Sequence, residues 1–207
     1  MTGISEREAG PRGLASALVE KGALTTDWSA AFDAVPRHLF LPEVIWPGRA
    51  GMNRQDDRVI RSEEPEVWWS AVYRDAPITT QWDDGAYTGP GKGKVPSSSS
   101  SMPTMVFSML DALNVEHGQR VLEIGTGTGW NAALLSHRVG AENVVTVEVD
   151  EDSARDARAR LEARRPVGAD VRRGSGGPAR CDRGRKRNRP VPRVVGVHAA
   201  AGSAHRP

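Results

Sequence analysis

The sequence predicts an α/β protein: an incomplete doubly wound parallel sheet, preceded by a helical and loop region and followed by a disordered basic tail. Three observations carry this. Residues 121–163 alternate strand, glycine turn, helix, strand and helix. Residues 1–100 show clear helical periodicity only near their start. Residues 164–207 hold eleven Arg and one Lys against two Asp, and no Leu, Ile, Met, Phe, Trp or Tyr. The organisation is therefore 1–100 (helices, loops and a substrate-side segment), 101–163 (αβ core) and 164–207 (basic tail).

The chain has 207 residues and 22.3 kDa, enough for one domain with appendages. Mean hydropathy is −0.48, and no run of 18 apolar residues exists, which excludes a transmembrane helix. MTGISEREAGPRG at the start has no apolar core and does not read as a secretory signal. Cys181 is the one cysteine, so an internal disulfide framework and a cysteine-based zinc site are excluded, and a cytoplasmic protein is expected. The net charge of +2 hides a split. The last 44 residues carry +10 and the first 163 carry −8. With little apolar surface to offset chain entropy, the tail reads as disordered.

Residues 5–22 read as an amphipathic helix through Leu14, Ala17, Leu18 and Lys21, interrupted early by Gly10–Pro11. A second helix starts near Thr26, its expected N-cap, and buries Trp28, Ala31, Phe32 and Val35 before Pro36 ends it. Residues 44–100 show no clear helix, and Val67–Tyr73 reads as a short strand. Gly89–Ser101, GPGKGKVPSSSSS, reads as a loop, either a linker or a substrate-facing lid. Met102, Met105, Val106, Met109, Leu110 and Leu113 then give a helix with one apolar stripe, capped by Ser101, its methionines in the core. Val121–Ile124 is a strand, Trp130–Arg138 a helix and Val144–Val147 a second strand. Asp150 caps a helix at Glu151–Ala163 that buries Ala154, Ala157 and Leu161.

The string VLEIGTGTGWNAALL at 121–135 carries the chemistry. Gly125, Gly127 and Gly129 alternate between a strand and a helix, where the backbone must turn sharply and a ligand must approach without a Cβ in the way. Glu148, twenty-three residues after Gly125, stands just past the second strand, where an acid can accept from both ribose hydroxyls. A dinucleotide site requires G-x-G-x-x-G, but Trp130 occupies the sixth position. The alternate spacing E-x-G-x-G-x-G instead matches class I S-adenosylmethionine-dependent methyltransferases. There Glu123 lies near the cofactor's ammonium.

VLEIGTGTGWNAALL resembles the signature VLEIGTGSGYQAAVL of protein-L-isoaspartate O-methyltransferases. VPRHLFLPE at 35–43 resembles their VPRxxFVP element. SSMPTMVFSMLDAL at 100–113 resembles their T-I-S-x-P-x-x-V-A-x-M segment. The resemblance covers residues 25–163. It implies a Rossmann-like methyltransferase sheet, S-adenosyl-L-methionine as cofactor, and methyl transfer to an L-isoaspartyl or aspartyl carboxylate of a protein or peptide. It places Ser101 at the mouth of the active site, orienting the carboxylate, with Glu123, Gly125, Thr126, Gly127, Gly129 and Glu148 around the cofactor. His38 and His137 read as surface or packing residues rather than general bases.

Two departures shape the expectation. AVYRDAPITTQWDDG followed by poly-serine resembles divergent members associated with peptide natural-product pathways, so the substrate is either damaged protein in general or one dedicated peptide. After Leu161 the family continues with a strand ending in Gly-Asp-Gly, whereas this chain has VRRGSGG with Ser175 in place of the Asp, and no convincing later strand. The compositional break suggests a tail translated out of frame, and a C-terminally truncated enzyme with little activity. The alternative is a catalytically dead fragment, or a binder of nucleic acid or an acidic partner through the tail. No aromatic interleaves with the tail's basic run, so nucleic acid is not expected.

Overall fold

The computed structural model describes residues 10–49, 52–55, 58–89, 91–164, 170–173 and 193–196. Helix α1 spans Pro11–Glu20 and buries Leu14 and Leu18. Helix α2 spans Thr26–Ala34 and buries Trp28, Ala31 and Phe32. Its cap residue is Thr25, one position before the expected Thr26, and Asp27 in the first turn complements the helix dipole. Arg37–Phe40 forms a single 3-10 turn.

Strands β1 (Val44–Arg49), β2 (Met52–Gln55) and β3 (Val59–Ile60) follow, then helix α3 (Pro65–Val72) and strands β4 (Ile78–Trp82) and β5 (Pro96–Ser100). They form an antiparallel sheet in the order β2-β1-β4-β5, with β3 paired to β1. Two expectations are corrected here. The strand at Val67–Tyr73 is helix α3. Pro65 and Glu66 sit in its first turn, and Trp68, Ala71 and Val72 are buried at helical spacing while Val67 stays half exposed. The β propensity of Val-Trp-Trp yields to packing. The loop at 89–101 ends in strand β5, where Ser99 and Ser100 pair with Thr79 and Ile78. A ladder uses backbone groups, so low-complexity composition does not prevent it, and Ser97 Oγ adds a bond to Gln81 Oε1 at 2.9 Å.

Helix α4 spans Pro103–Leu113, with Met102 rather than Ser101 at the cap position. Asp75 does the capping from outside. Its carboxylate accepts from Thr104 N at 2.8 Å and from Thr104 Oγ1 at 2.5 Å. The buried face of α4 is Pro103, Val106, Phe107 and Leu110, whereas Met105 is exposed, so the methionine stripe is not the core stripe. Phe107 displaces it by packing against Phe32 and Trp130.

Strand β6 (Val121–Ile124), helix α5 (Trp130–Val139), strand β7 (Val144–Glu148) and helix α6 (Glu151–Glu162) follow the predicted alternation. Glu148 is the last residue of β7 rather than the first beyond it. Strands β8 (Asp170–Arg173) and β9 (Arg193–Gly196) complete a parallel sheet in the order β8-β7-β6-β9. This corrects the expectation that no strand follows Leu161. Both β6 and β7 have an outer edge of backbone N–H and C=O groups, and strand pairing there needs no large apolar side chain. The rest of the tail, including Ser175, Cys181 and the basic run, lies outside the described residues.

One apolar cluster, from Leu14 through Trp68 and Phe107 to Leu161, joins the helical region to the parallel sheet. Gln81 Nε2 also reaches Asp150 Oδ1 at 3.2 Å, linking β4 to the start of α6. No helix of the described residues is long and apolar enough to cross a membrane.

Candidate active site

The turn after β6 is built on φ angles that L side chains rarely adopt: +89° at Gly125, +52° at Gly127 and +88° at Gly129. Gly125 N and Thr126 N donate to Val147 O at 2.8 and 3.3 Å, which pins the turn to β7. A Cβ on Gly129 would lie 3.4 Å from Ala157 Cβ, so this glycine lets α5 begin against α6. The Thr126 hydroxyl lies 2.6 Å from that of Thr146.

Glu123 is 1% exposed. Its carboxylate accepts from Asn131 Nδ2 at 2.6 Å and from Thr146 Oγ1 at 2.5 Å. Burial pushes its pKa up to about 7; the bonds from Thr146 and Asn131 work against the rise and the nearby Glu148 charge adds to it. Glu148 closes β7 with its carboxylate turned to backbone donors. Oε2 accepts from Gly127 N at 2.8 Å, and Oε1 from Val149 N at 2.8 Å and Asp150 N at 3.2 Å. Asp150 caps α6 as predicted, accepting from Ser153 N at 2.7 Å.

Ser101, Glu123, Gly125, Thr126 and Gly127 line one cleft with a cavity of about 50 Å³. The structure thus brings together residues separated by up to 26 positions in sequence. Gly129 lies behind the cleft against α6, and Glu148 meets it through the Gly127 amide. His38 is a packing residue: its ring lies 4.8 Å from that of Trp69, and Nδ1 bonds to the Tyr73 hydroxyl. A cation beside Glu123 would stabilise its buried charge, and with three backbone amides on the Glu148 carboxylate one lone pair of Oε2 stays open to a further donor. The acceptors Glu123 and Glu148 make this end of the parallel sheet suited to a ligand group that carries positive charge or hydrogen-bond donors.

Three contributors were not legible as site residues. Thr146 and Asn131 hold Glu123; the polar Thr within the apolar strand VVTVE was the available signal. Arg37, buried in VPRHLFLPE, donates to the backbone of Ser100 and Ser101 at 3.1 and 3.0 Å. A charged residue inside an apolar segment was its signal, but sequence gave no partner for it.

A profile of the family described as protein-L-isoaspartate(D-aspartate) O-methyltransferase matches residues 52–180. The chain belongs to this family. A protein-L-isoaspartate O-methyltransferase of a Picosynechococcus species is 31% identical over 146 residues, covering 70% of this family member and 48% of the relative. That of Rhodopseudomonas palustris is 38% identical over 106 residues, 51% and 48% of the two chains. The chain spans about half the length of these curated relatives. A solved protein-L-isoaspartate O-methyltransferase superposes with TM-score 0.55 at 27% identity, over 80% of this chain and 42% of the other. A Plasmodium falciparum structure in complex with S-adenosyl-L-homocysteine superposes with TM-score 0.51 at 16% identity, over 78% and 62%, and shares the fold.

Proposed function

We propose that this chain binds S-adenosyl-L-methionine in the cleft after β6 and acts in methyl transfer to an L-isoaspartyl or aspartyl carboxylate of a protein or peptide. The observation that carries the reading is the convergence of Ser101 with Glu123 and the glycine turn in one cleft. Family membership and the solved relative at 27% identity support it. In this reading residues 1–100 carry the acceptor-side segment, which ends with β5 at Ser100 and hands over to Ser101, and the rest of 101–163 supplies the cofactor side. A cytoplasmic setting belongs to the same proposal, in keeping with the single cysteine.

When bound, the cofactor supplies an activated methyl group to a carboxylate oxygen. Glu123 balances its positive amino-acid end, and Glu148 accepts from the ribose hydroxyls. Gly125, Thr126 and Gly127 let the ligand approach the backbone, and Gly129 keeps the turn closed against α6. Ser101 orients the acceptor carboxylate by donating a hydrogen bond. No general base is needed, because a carboxylate is already ionised and nucleophilic at neutral pH. Orientation in the cleft is the main catalytic contribution, at most about 7–11 kcal/mol.

The test is transfer of a labelled methyl group to an isoaspartyl peptide and to its aspartyl counterpart, with cofactor binding followed by calorimetry. Base-labile label on either peptide supports the reading. Absence of both label and cofactor binding overturns it.

A further inference from the structure

Arg37 is fully buried, and its guanidinium is surrounded by carbonyl groups. Nη1 donates to Val72 O at 3.0 Å and Arg74 O at 3.3 Å. Nη2 donates to Ala76 O at 3.2 Å, Ser100 O at 3.1 Å and Ser101 O at 3.0 Å, while Nε donates to Ser100 Oγ at 3.2 Å. The guanidinium centre stands 5.3 Å over the Trp130 ring. Among the described residues no carboxylate forms an ion pair with it. The acidic charge it feels is Asp75, which is held by Lys21 at 2.6 Å and by Thr104.

A buried cation without a paired anion is costly, and carbonyl dipoles compensate it only in part. Burial accordingly pushes the Arg37 pKa down to about 9. Ser100, Ser101 and Trp130, three of the groups it touches, also line the cleft of Ser101 and Glu123. The unbalanced positive charge therefore lies one residue layer behind the place where the acceptor would sit. Its fork also holds the carbonyls of Ser100 and Ser101, which fixes the backbone that carries the Ser101 hydroxyl.

We propose that Arg37 is the positioning and specificity-determining residue of the acceptor site, selecting an anionic acceptor group by supplying the fixed positive charge behind Ser101. The inference rests on the carboxylate-methylating reading above and adds the source of its charge selectivity. Glu123, which lines the same cleft, would otherwise repel an acceptor carboxylate, and Arg37 offsets that repulsion. The planar guanidinium is required because six hydrogen bonds in a fixed fork cannot be made by an ammonium group.

The test uses the full chain and two peptides: an isoaspartyl peptide, and the same peptide with that carboxylate replaced by a carboxamide. Binding is followed by tryptophan fluorescence and foldedness by circular dichroism. The wild type should bind the carboxylate peptide at least about tenfold more tightly than the carboxamide. Arg37→Met should reduce that ratio to about twofold or less, and Arg37→Lys should retain about fivefold despite weaker binding of both peptides. A second measurement needs no variant: the carboxylate, labelled with carbon-13, should titrate at lower pH in the wild-type complex than in free peptide. A folded Arg37→Met that keeps the wild-type ratio, or a bound carboxylate with unchanged titration, overturns the proposal. Equal binding of both peptides by the wild type overturns it while leaving methyl transfer standing. Failure to bind either peptide removes the acceptor reading itself, and this inference with it.

Discussion

The hydroxyl of Thr146 on β7 donates to the buried carboxylate of Glu123 on β6, and with Asn131 it holds that carboxylate in the lining of the cleft. Burial raises the pKa of Glu123 from 4.5 to about 7, so the folded chain binds a proton there that the unfolded chain has released. The sign follows. The folded state is favoured by this group below pH 4.5, loses that advantage as pH rises toward 7, and carries the full cost above it. Glu123→Gln should therefore gain stability relative to wild type across this window, reaching roughly 1–3 kcal/mol at pH 8. Denaturant titrations at pH 4.5 and pH 8 measure it; an equal difference at both values is the contrary result.

Glu148→Ala removes the acceptor for the amides of Gly127, Val149 and Asp150. It also removes the acid assigned to the ribose. Each hydrogen bond to a charged acceptor is worth roughly 1.5–3 kcal/mol, so cofactor affinity should fall at least about tenfold. Calorimetry with S-adenosyl-L-homocysteine, which has no sulfonium charge, checks that the loss belongs to the nucleoside end.

Ser101→Ala should lower kcat/KM for the acceptor peptide roughly 10- to 100-fold while leaving cofactor affinity within about twofold. The Ser101 carbonyl still accepts from Arg37 in this variant, and Met102, not Ser101, sits at the α4 cap position, so the melting temperature should hold. A large stability loss would mark Ser101 as structural.

Asp75→Asn should cost about 1–2 kcal/mol, the usual worth of a helix cap, because Asp75 caps α4 from outside the helix. Burial alone would raise the Asp75 pKa, but hydrogen bonds from Lys21 and Thr104 outweigh it and hold the carboxyl below its ordinary value. The contribution is therefore present above the unfolded-state value and lost as pH falls through the folded one. Wild type and variant should converge in stability in strong acid, which thermal melts at pH 7 and pH 2.5 would show.

The αβ alternation from Val121 to Glu162, the cap at Asp150, the inward faces of α2 and α6 and the glycine turn were all legible from the order of residues alone. These features depend on neighbours within a few positions: the 3.6-residue period, a cap three residues from its amide, φ angles open to glycine. Long-range packing makes Val67–Val72 helical, serines 97–100 a strand, Asp75 the cap of α4, and Arg37 a partner of Ser100 sixty-three residues away. The pairing of β8 and β9 with the parallel sheet belongs to the same group. In each of these cases the stabilising partner lies far along the chain: a core face for Trp68, a strand edge for the serines, a set of carbonyls for a buried guanidinium. Local pattern records what a residue can do with its immediate neighbours, whereas burial and hydrogen-bond satisfaction are settled by which distant groups the fold brings within reach.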